Sequence, residues 1–119
     1  MPTPELPVTL SQMTPQIAQI IHRFVNDTKQ VLKEQIISEY LFGSYARNTQ
    51  TPESDIDILI IVKEYTPVLQ WQMSSLASDY ALQYDVCIAP ILKDLENWKK
   101  NQTYHTLFYQ NVLREGIPL

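Results

Sequence analysis

The sequence has very little cysteine, no cluster of basic residues and no long apolar run. Its single cysteine, Cys87, cannot form an internal disulfide or a cysteine-based zinc site, which fits a reducing compartment. The longest uninterrupted apolar run covers residues 58–62, far short of the roughly 20 residues that a transmembrane helix needs. The N-terminus shows no basic segment followed by an apolar core. We therefore expect a cytoplasmic protein.

The charges argue against long nucleic acid as the main ligand. Nine Lys and Arg residues against 13 Asp and Glu residues give a formal net charge of -4, and Lys99-Lys100 is the only adjacent basic pair. Tight binding to DNA or RNA relies on clustered Lys and Arg side chains that neutralise phosphates. A nucleotide held through a divalent metal remains compatible with this charge, because the metal supplies the positive field.

The length and composition predict one soluble globular domain with a single core. The chain has 119 residues, of which 45% are hydrophobic and 18% charged. Residues 1–13 carry three of the eight prolines without a periodic pattern, so we expect an N-terminal tail there and the domain over 14–119.

The helices are predicted from start signals and helical spacing. Thr14-Pro15 and Thr66-Pro67 each place a capping hydroxyl before a proline at the first helical position. Apolar residues at helical spacing extend the first helix to about residue 33 and give the second a core-facing stripe of Leu69, Met73, Leu76 and Tyr80. Two closing helices are predicted over 94–100 and 103–115, before a stop at Gly116.

Three strands are predicted over residues 36–42, 55–63 and 84–90, the last stopped by Pro90. The second strand is apolar at every position from 58 to 62, so it should be central and covered on both faces. The expected order is helix, strand, strand, helix, strand, helix, helix.

Asp55 and Asp57 form the most suggestive pair of acidic residues. Residues two apart in a strand share a face and lie about 6.6 Å from each other. Such carboxylates can bridge two magnesium ions roughly 3.5 to 4 Å apart and leave positions open for phosphate oxygens. Asp85, predicted at the head of the third strand, is the candidate third ligand. The alternative interpretation of Asp-Ile-Asp alone is a solvated strand end.

Gly43-Ser44 supplies a second element of the same chemistry. It follows a predicted strand and precedes a short helical turn, so its N–H groups and hydroxyl are suited to terminal phosphates. An ordinary turn for Gly43 and a helix cap for Ser44 are the structural alternatives. Arg47, on the short helical turn, either contacts the phosphates or pairs with a surface carboxylate.

Three further residues have structural interpretations. Cys87 is interpreted as a small buried hydrophobic residue. Trp71 falls off the apolar stripe of its helix and Trp98 lies in a short polar helix, so each is either a partner contact or half-buried packing.

Gly43-Ser44, ten intervening residues and Asp55-x-Asp57 resemble the motif of the nucleotidyltransferase superfamily that includes DNA polymerase beta and kanamycin nucleotidyltransferase. With Gly-Ser-Tyr-Ala-Arg and a terminal Leu-Arg-Glu-Gly-Ile-Pro-Leu, the chain from Thr14 onwards is most similar to the minimal nucleotidyltransferases (MNT proteins), often paired with a small helical HEPN protein. Asn48 stands where the family usually has glycine. Because Asn tolerates positive φ, we expect this turn to be retained.

The resemblance implies an α/β (α+β) fold, with a mixed sheet of about three to four strands and helices packed on one side. It implies a nucleoside triphosphate bound by Gly43 and Ser44, with Arg47 as a further phosphate contact. It also implies two Mg²⁺ ions held by Asp55, Asp57 and Asp85.

The implied activity is Mg²⁺-dependent transfer of AMP from ATP to a tyrosine hydroxyl of a HEPN toxin, which would make the chain an antitoxin. Two alternatives are a non-catalytic antitoxin that neutralises its partner by covering it, and a transferase for a small-molecule hydroxyl such as that of an aminoglycoside. Kanamycin-type enzymes add a domain that shapes the acceptor pocket, and 119 residues leave no room for one. A protein acceptor is therefore favoured, supplied either by a partner protein or by a second copy of the chain in an oligomer.

Overall fold

The computed structural model describes residues 13–119, so all but Met13 of the expected N-terminal tail, residues 1–13, lies outside the described residues. The helices within these described residues are α1 (Pro15–Leu32), α2 (Ser44–Arg47), α3 (Pro67–Tyr84), α4 (Leu95–Thr103) and α5 (Leu107–Glu115). The strands of the same part of the chain are β1 (Ile36–Phe42), β2 (Ile56–Val62), β3 (Ile88–Asp94) and β4 (Ile117–Pro118). A short 3-10 turn, Lys33–Gln35, joins α1 to β1.

The strands form one mixed sheet in the order β3-β2-β1-β4. Strand β1 is antiparallel to both β2 and β4, whereas β2 and β3 run parallel. The predicted mixed sheet is confirmed, and β2 lies inside it as expected. The pairing brings the C-terminal end of β1 and the N-terminal ends of β2 and β3 to the same end of the sheet.

Helices cover both faces of this sheet, so the expectation of helices on one side is wrong. Ile58, Ile60 and Val62 pack with α1 and α3 on one face. Leu59 and Ile61 pack with residues of α4 and α5 on the other. All five of these β2 side chains are 0% exposed. The physical reason is that β2 is apolar at every position from 58 to 62, so this part of the strand has two apolar faces, and both must be kept from water.

The two long helices begin at the predicted Thr-Pro pairs. Thr14 Oγ1 accepts a hydrogen bond from the Ile17 backbone N–H at 3.4 Å, and Thr66 Oγ1 accepts one from Leu69 at 3.2 Å. The helices pack on each other through an edge-to-face contact between Phe24 and Tyr80, whose centroids lie 5.3 Å apart. These contacts form the core beside which the candidate site lies.

The third strand differs from the prediction. Helix α3 continues to Tyr84, and β3 spans Ile88–Asp94 rather than 84–90. The rings of Tyr80 and Tyr84 lie 5.3 Å apart, so Tyr84 extends the packed side of α3 and favours another helical turn. Pro90 lies inside β3 at the edge of the sheet, where a missing N–H is tolerated.

The C-terminal part contains the two expected helices and one strand that the sequence did not predict. Asp94 caps α4, accepting from the Asn97 N–H at 2.7 Å, and α4 runs through Thr103, so that α5 begins only at Leu107. Strand β4 then pairs with Tyr40 and Leu41 of β1. Within residues 13–119, no helix combines the length and apolar character needed to cross a membrane.

Candidate active site

The glycine turn and the carboxylate pair meet at a corner between β1 and β2. Phe42 at the end of β1 lies opposite Asp57, and Gly43 follows with φ 75° and ψ -156°. A Cβ atom on Gly43 would collide with Oδ2 of Asp57 and lie 3.1 Å from its Cγ. Only glycine fits both this conformation and this close approach. We refer to Gly43, Ser44, Asp55 and Asp57 as the Gly43–Asp57 corner.

Helix α2 starts immediately after this glycine, as predicted from the sequence. The Arg47 N–H donates to the Gly43 carbonyl at 3.1 Å, and the Thr49 N–H donates to the Ser44 carbonyl at 2.9 Å. Asn48 ends α2 in the left-handed region with φ 58°, which Asn adopts more readily than most residues. The expectation that Asn48 retains the turn is confirmed.

The two carboxylates differ in environment. Asp55 is exposed and precedes β2, while Asp57, within β2, is partly buried. Burial raises the pKa of Asp57, the charge of Asp55 raises it further, and the charge of Arg47 lowers it. A cation bound at this corner would relieve the repulsion between the carboxylates and replace the hydration that Asp57 loses by burial.

Arg47 already has a partner in the protein. Its Nη1 lies 3.2 Å from Oε2 of Glu115, at the end of α5. The structural alternative that the sequence left open, a surface ion pair, is thus present, while 47% of the Arg47 side chain stays exposed.

Cys87 lies beside Asp55 and is exposed, so its interpretation as a buried hydrophobic residue is wrong. The Ile56 N–H donates to the Cys87 carbonyl at 2.8 Å, which places this segment next to the start of β2. A hydrogen bond from the thiol to Asp55, followed by burial and by repulsion from Asp55 and Asp57, raises the pKa of Cys87.

Asp85 is not at the head of a strand, as predicted, but at the C-terminal cap of α3. It adopts φ 54°, and its N–H donates to the Ala81 carbonyl at 3.1 Å. Over residues 13–119, no three His, Cys, Asp or Glu side chains are grouped closely enough to hold a metal. The structure therefore brings Asp55 and Asp57 together but leaves Asp85 outside a three-ligand cluster.

Asp85 instead lines an open cleft of about 530 Å³ beside the carboxylate pair. Ser54, which precedes Asp55 in the sequence, and Cys87, which lies beside Asp55 in the fold, are on its wall together with Tyr45 of α2. The cleft thus borders the residues on both sides of Asp55 in the chain, Ser54 and Ile56, and Tyr45 extends it to the start of α2.

Trp98 and Trp71 lie in different environments, the first packed and the second exposed. Trp98 packs between Tyr40, Phe108 and Tyr109, with ring centroids 5.3 to 6.5 Å away. Trp71 remains 70% exposed on α3. Sequence reasoning did not single out Glu115, although the terminal Leu-Arg-Glu-Gly segment to which it belongs was part of the resemblance.

Comparison with known proteins shows the family to which the chain is related. A family model described as a nucleotidyltransferase domain matches residues 21–112. A protein of Methanocaldococcus jannaschii named "putative protein adenylyltransferase" is 39% identical over 105 residues, covering 87% of this chain and 99% of that protein.

Two solved structures of toxin–antitoxin complexes have a similar fold. One, described as the complex MntA-HpeT, has a TM-score of 0.53 and 26% identity, covering 82% of this chain and 70% of that chain. The other, a toxin–antitoxin with AMP-PNP, has a TM-score of 0.54 and 25% identity, covering 81% of this chain and 69% of that chain.

Proposed function

This chain belongs to the nucleotidyltransferase domain family and is a nucleotidyltransferase, and we propose that it transfers AMP from ATP to a tyrosine hydroxyl of a HEPN-type toxin. In this role it is the antitoxin of the pair. The single observation that carries the proposal is the contact of Gly43 with Asp57. That contact joins a turn suited to phosphate and a carboxylate pair suited to metal at one corner.

The carboxylates at this corner fit magnesium. Mg²⁺ prefers oxygen ligands and is commonly held by one or two carboxylates together with substrate phosphates. Asp55 and Asp57 supply two carboxylates, and the pKa of Asp57 is raised first by burial and then by the charge of Asp55. When bound, the metal would neutralise charge that develops on the phosphates and lower the pKa of the acceptor hydroxyl.

The chain's own residues would divide the remaining tasks between the glycine turn, which would bind phosphates, and the cleft, which would admit the acceptor. Gly43 and Ser44 would bind the β- and γ-phosphates, and Arg47 would offer N–H donors to them. The acceptor oxygen would attack the α-phosphorus from the cleft, and the bond to the β-phosphate would break to release pyrophosphate. Asp85, on the wall of that cleft, would accept the hydroxyl proton.

The choice of ATP and of a protein acceptor is supported by similar proteins. The M. jannaschii relative carries the name of a protein adenylyltransferase and is covered almost from end to end. The structural neighbours are toxin–antitoxin complexes, one of them with AMP-PNP. Both lines favour a partner protein over a small molecule as the acceptor.

The decisive experiment measures transfer of labelled AMP from ATP to a co-encoded helical partner in the presence of Mg²⁺. We expect label on a partner tyrosine, and we expect the Asp55→Asn, Asp57→Asn double variant to lose at least about 100-fold in rate, because the metal supplies several kcal/mol of stabilisation. A tyrosine-to-phenylalanine variant of the partner should remain unlabelled.

Other outcomes would point elsewhere. Label transfer that survives in the double variant would show that the assigned site is wrong. A double variant that still suppresses toxicity through an intact complex would favour neutralisation by binding. Transfer to an aminoglycoside, without transfer to the partner, would favour a small-molecule acceptor.

A further inference from the structure

The C-terminal segment passes close to the Gly43–Asp57 corner and is firmly held there. Helix α5 ends at Glu115, and the Gly116 N–H donates to the Val112 carbonyl at 2.7 Å. A Cβ atom on Gly116 would collide with that carbonyl. The next residue, Ile117, pairs with Leu41, two positions before Gly43. The β4 pairing therefore places Glu115 at a defined position beside the corner.

From this position Glu115 contacts Arg47. The ion pair joins Oε2 of Glu115 to Nη1 of Arg47 at 3.2 Å, and residue 47 is itself tied to Gly43 by a backbone hydrogen bond of 3.1 Å. A guanidinium group has five N–H donors, so one bond to Glu115 leaves the others available. The Arg47 side chain is 47% exposed and that of Glu115 only 23%, so a ligand can reach the arginine while its anchor is partly covered.

We propose that Glu115 is a positioning residue for the nucleotide site: it orients Arg47 so that the free guanidinium donors meet the phosphates of ATP. This inference rests on the proposed function, because it takes the nucleotide to bind at the Gly43–Asp57 corner. A partly exposed ion pair contributes little to folding stability, so the effect of Glu115 is on ligand binding. Holding a long side chain in one geometry before binding improves affinity by reducing the entropy lost on binding.

The test compares Glu115→Gln with the unmodified protein, using titration calorimetry with ATP and Mg²⁺ without an acceptor. Glutamine keeps the length of the side chain and an oxygen acceptor but removes the charge. We expect ATP affinity to fall about three- to fivefold, in the range of an exposed charge pair. In the transfer assay with the acceptor present, KM for ATP should rise by the same factor while kcat stays unchanged. Arg47→Ala should weaken binding by about tenfold.

A double-mutant cycle separates positioning from a general structural effect. In the Arg47→Ala background, Glu115→Gln should cause no further loss of ATP affinity, because Glu115 affects ATP binding only by orienting Arg47. Two control variants should bind ATP as the unmodified protein does. Glu96→Gln removes an exposed pair with Lys100, 3.6 Å apart on α4, and Arg114→Gln removes the second, 3.8 Å contact of Glu115.

The possible failures are distinguishable. If the unmodified protein binds ATP and Glu115→Gln has no effect, or has the same effect with Arg47→Ala present, the positioning role is overturned and the proposed function stands. If the unmodified protein does not bind ATP with Mg²⁺, both proposals are overturned.

Discussion

The Gly43–Asp57 corner and the connection from α3 to β3 lie at the same end of the sheet, yet they are built differently. At the corner, Gly43 contacts Asp57 across an antiparallel pair. In the connection, Asp85 ends a helix three residues before β3 begins. Both were expected to contribute carboxylates from strands, and only the corner does so.

The difference reflects how far apart in the chain the residues lie whose contacts decide each local structure. Strands β1 and β2 are antiparallel neighbours in sequence, so a glycine at the end of one and an Asp in the other meet through simple register. The boundary between α3 and β3 depends on whether Tyr84 joins the tyrosine contact on α3 or starts a strand. Packing against Tyr80 at 5.3 Å accompanies the longer helix.

The largest expected effect in this comparison comes from Gly43→Ala, which breaks the corner. The combination of φ 75° and ψ -156° is open essentially only to glycine and costs another residue about 1 to 3 kcal/mol. Displacement of Asp57 by the new methyl group should lower kcat/KM of the proposed AMP transfer about 100-fold. Thermal unfolding and transfer assays measure the two effects.

Asn48→Gly is the matched control for this change. Residue 48 also has positive φ, 58°, but glycine adopts it freely, so activity should stay within about twofold of the unmodified protein. An active Gly43→Ala variant would contradict the close approach of glycine and carboxylate.

A smaller effect on the transfer rate is expected for Asp85→Asn, which tests whether the connection from α3 to β3 takes part in the reaction. Asn also tolerates the left-handed conformation at φ 54°, so stability should be unchanged. If Asp85 accepts the acceptor proton, the transfer rate should fall roughly tenfold, less than for a typical general base because a bound metal would already lower the pKa of the acceptor hydroxyl. Unchanged kcat over the pH range of activity would leave Asp85 with a capping role only.

The smallest expected effect is on stability, for Asp57→Asn in the absence of metal. A raised folded-state pKa means that the stability gained by protonation is present below the unfolded pKa, about 4, and is lost as pH rises through the folded pKa. The variant should therefore be more stable than the unmodified protein at pH 7, by roughly 0.5 kcal/mol after allowance for solvent screening, and not at pH 3. Denaturant unfolding at both pH values measures this difference.

Glu39→Gln provides a control for charge burial away from the corner. Glu39 is 3% exposed and bonded to Thr28, and burial raises its pKa. Because glutamine keeps an oxygen acceptor for Thr28 but has no charge to desolvate, this variant should also gain stability at pH 7, on the order of 1 kcal/mol, while it keeps full transfer activity. A gain for Glu39→Gln without any gain for Asp57→Asn would show that neither burial nor the charge of Asp55 destabilises the ionised Asp57 side chain.

Residues close in sequence made much of the fold predictable. The Thr-Pro starts of α1 and α3 and the span of β1 are confirmed, because capping and strand periodicity act within a few residues. The shift of β3 was not predictable in this way, since Pro90 stops most strands but is accepted at a sheet edge.

The sequence by itself determined the glycine turn, the spacing to Asp55 and Asp57, and hence the class of chemistry, because these depend on local backbone geometry and residue type. Only the tertiary structure decided that both faces of β2 are covered, that Asp85 caps a helix beside a cleft, and that Glu115 contacts Arg47. Those outcomes depend on contacts between residues far apart in the chain, and their energies compete only once the core has formed.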